Sequence, residues 1–152
     1  MTDAGRGTRC QAEGMPRSKP AAETPGKGDD PSIRLLLVDR DVRVRAAMSQ
    51  TVTLEDNLVI VAEAADAGQA LALADSTDPS VALVDLFLPD TATGLRLVRS
   101  LSRRPGCAVV AMSGRGGMRE AALAAGARAL VDKSGDIDAI LDTIRACAQL
   151  ED

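Results

Sequence analysis

The sequence has almost no aromatic residues and no histidine. Phe87 is the single aromatic side chain among 152 residues, and Trp, Tyr and His do not occur. Histidine-based catalysis and zinc sites that use histidine are therefore excluded. Nucleic-acid binding usually requires a basic patch, often with stacking aromatic side chains, whereas this chain has a net charge of −4. We therefore expect no direct contact with nucleic acid.

Cysteines and long apolar runs are also scarce. The three cysteines, Cys10, Cys107 and Cys147, lack metal-ligand spacing, so we expect free thiols in a reducing cytoplasm. No apolar stretch approaches the roughly 20 residues that a membrane-spanning helix needs. The N-terminus has no hydrophobic segment that resembles a secretory signal. These absences predict a cytoplasmic protein with no membrane contact.

Residues 1–31 differ in composition from the rest of the chain. They contain four prolines and five glycines but no Val, Ile, Leu or Phe, and their five cations are balanced by five acids. Such a segment cannot bury enough apolar surface to offset the entropy lost on ordering. We therefore predict a disordered N-terminal tail over residues 1–31 and a folded domain over residues 32–152.

The folded part alternates between short apolar runs and segments with helical periodicity. Strands are predicted at residues 33–38, 58–64, 81–84, 107–112 and 128–132. A helical segment follows each strand, and the fourth is predicted to start at "RGG", residues 115–117. Strands and helices that alternate in this way form a parallel sheet with helices on both faces. The sequence therefore indicates an α/β fold.

Polar side chains stand at the carboxyl ends of four predicted strands, namely Asp39, Asp85, Ser113 and Lys133. Because the carboxyl ends of parallel strands share one edge of the sheet, where ligands bind, these side chains are expected to meet. Lys133 is the only lysine among the thirteen cations of residues 32–152. Its occurrence in a composition dominated by arginine favours a role that needs a compact point charge.

This set of side chains suits phosphoryl transfer. Two neighbouring carboxylates repel each other, and the pKa of each rises unless a cation intervenes. A hard ion such as Mg²⁺ suits these oxygen ligands and can hold a phosphoryl group, whose oxygens Lys133 and Ser113 could contact. An aspartate can then act as the nucleophile, as in aspartyl-phosphate chemistry. Asp85 is the best candidate because it ends the expected central strand.

The segments "LLLVDRD", "VALVDLFLPDTATG", "VVAMSG" and "AAGARALVDKS" resemble the motifs of receiver domains from two-component response regulators. The resemblance covers about residues 33–150 and implies the flavodoxin-like receiver fold, with strand order 2-1-3-4-5. It implies that a histidine kinase or phosphotransfer protein donates a phosphoryl group to Asp85. It also implies signalling to an unknown protein target through the fourth helix, fifth strand and last helix. Because the sequence ends at Asp152, we expect a standalone receiver without an output domain.

The resemblance also implies roles for individual residues. The phosphoryl group would contact Ser113, Gly114 and Lys133. Mg²⁺ would bind to Asp39, to Asp85 and to the backbone carbonyl of Phe87, with Asp41 as a further candidate ligand.

The sequence departs from the receiver pattern at several positions. Arg40 stands where receivers usually have a second adjacent acid that ligates the metal, so we expect weakened Mg²⁺ binding. If the Arg40 guanidinium turns inward, it would pair with the site carboxylates and take the place of the cation. Asp41 restores an acid one position later but is expected to cap the first helix. Leu130 replaces a common aromatic switch residue, and the loop from Pro89 to Gly94 is one residue longer than usual.

Three functional hypotheses remain open at this point. The first is a standalone receiver that is phosphorylated on Asp85 and is not an enzyme beyond its own phosphoryl transfer and dephosphorylation. The second is a degenerate receiver that acts as a phosphorylation-independent interaction module. The third is a phosphatase of the haloacid-dehalogenase type with Asp39 as the nucleophile and Ser113 and Lys133 assisting. That pattern fails at Arg43, where a small hydroxyl residue or Val is required.

Overall fold

The computed structural model describes residues 32–149, so the tail predicted for residues 1–31 lies outside the described residues. Five strands and five helices alternate along this part of the chain. The strands are β1 (Ile33–Val38), β2 (Leu58–Ala64), β3 (Val81–Asp85), β4 (Ala108–Ser113) and β5 (Ala129–Asp132). The helices are α1 (Val42–Thr53), α2 (Ala67–Thr77), α3 (Thr91–Ser102), α4 (Arg119–Ala125) and α5 (Ile137–Gln149).

All strand pairs are parallel, and the strand order is β2-β1-β3-β4-β5, as predicted. The predicted bounds of β1 and β2 are confirmed. The structure extends β3 to Asp85 and β4 to Ser113, because both residues continue the ladder, with Asp85 opposite Met112 and Ser113 opposite Asp132. Two of the predicted polar residues therefore terminate neighbouring strands at the same edge.

Helices cover both faces of the sheet. Alternate residues of the central strands point to opposite sides, so Leu36 and Val84 pack against α2, α3 and α4, whereas Leu35 and Leu83 pack against α1 and α5. Every residue of β3 is buried. This two-sided burial explains why the strands are continuous apolar runs rather than alternating ones.

The loop after β3 is held closely against the sheet. Asp90 caps α3 by accepting a hydrogen bond from the backbone N–H of Thr93 at 2.8 Å. Gly94, in the first turn of α3, passes so near the β3 end that a Cβ atom there would lie 1.8 Å from the carbonyl oxygen of Leu86. Only glycine permits this approach, which determines where the residues after Asp85 lie.

The prediction that the fourth helix starts at residues 115–117 is wrong. Gly116 and Gly117 lie in a turn, and α4 begins only at Arg119. Gly117 has a φ of +81°, which lies in the left-handed region and is incompatible with a right-handed helix. The two glycines therefore belong to the loop between β4 and α4 and do not weaken the helix itself.

Between residues 32 and 149, no helix is both long enough and apolar enough to cross a membrane.

Candidate functional site

Lys133 lies between two buried carboxylates at the carboxyl edge of the sheet. Its Nζ atom is 2.8 Å from Oδ2 of Asp85 and 3.0 Å from Oδ2 of Asp39. Asp39 is fully buried and Asp85 is 4% exposed, whereas the Lys133 side chain is 26% exposed. The predicted meeting of these three side chains is confirmed. One ammonium group thus shields two carboxylates that would otherwise repel each other.

The second oxygen of each carboxylate is bound by the backbone two residues further along the chain. Oδ1 of Asp39 accepts a hydrogen bond from the N–H of Asp41 at 2.8 Å. Oδ1 of Asp85 accepts one from the N–H of Phe87 at 3.2 Å. Each aspartate therefore closes a tight turn at its strand end, which directs its Oδ2 atom toward Lys133.

Burial raises the pKa of the Asp39 carboxyl, and the hydrogen bond from Asp41 and the contact with Lys133 only partly oppose this effect. Oδ2 of Asp39 is buried and has no well-aligned hydrogen-bond donor, although Lys133 Nζ is 3.0 Å away. For Lys133, burial lowers the pKa, but the hydrogen bond to Asp85 and the contact with Asp39 outweigh it, so the pKa is raised.

Ser113 lies at the same edge, but its hydroxyl group faces the following loop. The hydroxyl accepts a hydrogen bond from the N–H of Arg115 and donates one to the Arg115 carbonyl, both at 3.0 Å. Gly114 is exposed, and a Cβ atom at this position would have no neighbour within 4 Å. The Ser113 hydroxyl would therefore have to rotate away from Arg115 to contact a group bound at Asp85.

Asp41 does not join the carboxylate pair. It is the N-cap of α1, as expected from the sequence, and its Oδ1 accepts a hydrogen bond from the N–H of Arg43 at 2.8 Å. This hydrogen bond lowers the pKa of Asp41. In the described part of the chain, no three Asp, Glu, Cys or His side chains are grouped so that they could hold a metal ion. The candidate ligand set thus has two carboxylates rather than three.

We predict that Asp41 affects stability rather than metal binding. Asp41→Ala should lower the free energy of unfolding by about 1 kcal/mol because the α1 N-cap is lost. Asp41→Asn should preserve the cap and leave stability nearly unchanged, and loss of its charge alone, at about 8 Å in water, should lower Mg²⁺ affinity by no more than about sixfold. Urea denaturation and Mg²⁺ titration of the two variants test this. A much larger loss of Mg²⁺ affinity in Asp41→Asn would identify Asp41 as a ligand.

The hypothesis that Arg40 turns inward is wrong. Arg40 is exposed, and its guanidinium carbon lies 5.9 Å from the centre of the Phe87 ring. Arg115 makes a similar contact at 5.6 Å. Lys133 already occupies the space between the carboxylates, whereas the exposed face of Phe87 offers a guanidinium a favourable contact without loss of its hydration.

Sequence reasoning missed the contact between Arg40, the Phe87 side chain and Arg115. Two signals for it were present: Phe87 is the only aromatic residue and follows Asp85 by two positions, and Arg115 follows Ser113 by two positions. Residues at corresponding offsets from neighbouring strand ends emerge at the same edge of a parallel sheet.

Leu130 is partly buried and packs against the core on the side of α2, α3 and α4. An open cleft of about 290 Å³ lies beside it, between the loop after β4 and the loop after β5. Arg115, Arg119 and Ser134 contribute to its walls. The site and this cleft therefore share the loop that begins at Ser113.

The oxygen atoms at the strand ends fit a magnesium ion. Mg²⁺ commonly binds one or two protein carboxylates and completes its coordination with water and phosphate oxygens. Oδ2 of Asp39 and Oδ2 of Asp85 both face Lys133, and the former lacks an aligned hydrogen-bond donor. These oxygens could accept a cation if the Lys133 ammonium moved aside.

Comparisons with known proteins agree with this geometry. A family model described as the response regulator receiver domain matches residues 35–145. The uncharacterized transcriptional regulatory protein YvfU of Bacillus subtilis is 27% identical over 121 aligned positions, and the match covers 77% of this chain and 60% of that protein. The transcriptional regulatory protein UhpA of Salmonella typhimurium is 29% identical over 116 residues, with coverage of 76% and 59%. The chain thus spans about 60% of the length of these curated relatives.

A similar solved structure is that of a LuxR-family two-component response regulator from Aurantimonas sp. SI85-9A1. It has a TM-score of 0.72 and 28% sequence identity, and the match covers 79% of this chain and 87% of that one. The family model covers most of the present chain, and the fold and the acidic strand ends agree with it. The protein belongs to the response regulator receiver domain family.

Proposed function

We propose that this receiver accepts a phosphoryl group on Asp85 from a histidine kinase or a phosphotransfer protein. The observation that carries the proposal is the contact of Lys133 Nζ with the buried carboxylates of Asp85 and Asp39, at 2.8 and 3.0 Å. An ammonium held at this point can neutralise an aspartate before transfer and then pair with an oxygen of the transferred group.

The residues of the chain would act in a simple sequence. The Asp85 carboxylate oxygen that does not hold the metal would form a bond to phosphorus while the bond between phosphorus and the donor's histidine nitrogen breaks. The Lys133 ammonium would then exchange its contact with the Asp85 carboxylate for a contact with a phosphoryl oxygen. The Ser113 hydroxyl would leave Arg115 and donate to a second phosphoryl oxygen, near the backbone of Gly114.

Asp39, Asp85 and the backbone carbonyl of Phe87 would hold Mg²⁺. The bound ion would neutralise the negative charge of the carboxylates and of the phosphoryl group. The ligand set has one acid fewer than the usual receiver pattern, because position 40 is an exposed arginine. We therefore propose weak Mg²⁺ binding.

Output would pass through the face formed by α4, β5 and α5 to a protein target that is still unidentified. Leu130 supplies no aromatic ring for a switch, so the change would involve the loop after β4, which follows Ser113 and contains three glycines. We propose a cytoplasmic location and no direct contact with nucleic acid. The curated relatives named as transcriptional regulators are longer than this chain.

We expect incubation with Mg²⁺ and a small phosphodonor to add the mass of one phosphoryl group to the intact protein. Asp85→Asn should abolish the addition because the amide is not a nucleophile of this kind. Asp132→Asn is the matched control, since Asp132 ends strand β5 of the same sheet but is exposed and bonded to Ser134. Addition that persists in Asp85→Asn would contradict the assignment of the phosphoacceptor.

A degenerate receiver that binds its partners without phosphorylation is the second candidate. It is favoured by the ion pairs of Lys133, which neutralise the site without metal, and by the absence of an acid at position 40. This candidate predicts no mass increase with any donor, together with partner binding that is unchanged in Asp85→Asn. The phosphatase alternative is not proposed, because its sequence pattern fails at Arg43.

A further inference from the structure

Each member of the contact between Arg40, Phe87 and Arg115 is attached to a residue of the buried site. Arg40 follows Asp39 directly, and the N–H of Phe87 donates to the Asp85 carboxylate. Arg115 is bound through its backbone N–H and carbonyl to the Ser113 hydroxyl. The three side chains therefore emerge at the carboxyl ends of β1, β3 and β4, the edge of the sheet at which the buried acids lie. We call them the surface clamp.

The surface clamp changes the charge that an approaching donor meets. Before Mg²⁺ binds, Asp39, Asp85 and Lys133 together carry a charge of −1 when both carboxyls are ionised, which repels an anionic phosphodonor. Arg40 and Arg115 add two positive charges in the same region and give a sum of +1. Phe87 contacts both guanidinium groups, at 5.9 and 5.6 Å from its ring centre, and so limits their freedom to move away.

We propose that Arg40 and Arg115, held by Phe87, recognise the negative charge of the phosphodonor and favour dianionic over monoanionic donors. This inference rests on the proposed phosphorylation of Asp85. The inference also gives a role to Arg40, which stands where receivers usually have a second acid. An acid at this position attracts the phosphodonor through the metal ion that it binds, whereas the Arg40 guanidinium attracts the phosphodonor directly.

The charge dependence of phosphorylation provides the test. Acetyl phosphate is a dianion near pH 7.5, whereas phosphoramidate carries a net charge of −1, so the same variants can be compared with both donors. In each transfer the bond from phosphorus to the leaving group breaks, and acetate or ammonia is released. Rates would be measured by intact mass at a Mg²⁺ concentration that saturates every variant and with no other added salt, so that charge interactions are little screened.

Removal of one guanidinium should slow the dianionic donor more than the monoanionic one. For a guanidinium about 8 Å from the donor in water, Arg40→Gln or Arg115→Gln should slow phosphorylation by acetyl phosphate about sixfold but phosphorylation by phosphoramidate only about twofold. Arg43→Gln is the control, because Arg43 has an 89% exposed side chain and pairs with Asp41 outside the surface clamp. The phosphorylation rate of Phe87→Leu with acetyl phosphate should lie between the rates of the wild type and of the two arginine variants. Equal slowing of both donors, or equal rates in Arg43→Gln and Arg40→Gln, would overturn the inference.

A binding measurement separates this inference from the proposed function. If no donor phosphorylates the wild-type chain, the proposed function fails, and a titration with inorganic phosphate then decides the inference. We expect phosphate to shift the NMR signals of the Arg40 and Arg115 Nε–H groups at lower concentration than that of Arg43. The same concentration dependence for all three arginines would mean that the surface clamp has no anion preference.

Discussion

Lys133→Met is expected to lower the free energy of unfolding by about 3 kcal/mol at pH 7. Removing one partner of a buried ion pair leaves an uncompensated charge and typically costs about 3–5 kcal/mol. We take the lower value because the Lys133 side chain is 26% exposed. Methionine keeps the length and the apolar stem of the side chain, so the loss should come mainly from the unshielded carboxylates of Asp39 and Asp85.

The pH dependence of this loss identifies its origin. The pKa of Asp39 is raised above 3.8, so its contribution to stability is fully present below pH 3.8 and is lost as the pH rises through the folded-state pKa. Without Lys133 that pKa should rise further, which makes the decline in stability larger and extends it to higher pH. The difference between wild type and Lys133→Met should therefore be smaller at pH 4 than at pH 7.

Two further variants complete this test by urea denaturation. Arg96→Met removes an exposed cation from α3 and should change stability by less than about 0.5 kcal/mol. Combining Lys133→Met with Asp39→Asn should recover a substantial part of the loss, because only one buried carboxylate then remains. A loss that is independent of pH and unchanged in the double variant would mean that Lys133 contributes through packing alone.

Arg40→Asp is expected to increase Mg²⁺ affinity by about 30-fold, which corresponds to about 2 kcal/mol. The substitution changes the charge beside the site by two units, and at about 8 Å in water this alone accounts for the estimate. Direct ligation by the new carboxylate would add to it. Since Arg40 is exposed and lies over the Phe87 ring, its replacement should not disturb the core.

Arg40→Gln separates the two contributions. Loss of the positive charge without a new ligand should raise the affinity about sixfold under the same conditions. Calorimetric titration at low ionic strength measures the Mg²⁺ affinity of the wild type, Arg40→Asp and Arg40→Gln. Added salt should reduce the differences in affinity among them. If Arg40→Asp bound Mg²⁺ no more tightly than Arg40→Gln, the absence of an acid at position 40 could not be the reason for weak metal binding.

Much of the fold was predictable from the sequence because it depends on local patterns. Parallel strands that are buried on both faces must be apolar throughout, so the runs at residues 33–38 and 58–64 were recognised with their correct bounds. A carboxylate at the end of such a run stands out, and parallel topology brings these ends together. Asp39, Asp85 and Lys133 could therefore be assigned to one site without coordinates.

The sequence by itself thus determined the α/β architecture, the strand order implied by the receiver motifs and which residues form the acidic site. The tertiary structure decided the orientation of the side chains around that site. Arg40 lies on Phe87 rather than on the carboxylates because Lys133 reaches them from β5, a competition that sequence spacing does not reveal. The structure also decided that the Ser113 hydroxyl binds the backbone of Arg115, and that the positive φ of Gly117 delays α4 to Arg119. The position of Arg40 depends on distances of a few ångströms between residues far apart in sequence, so only the folded chain determines it.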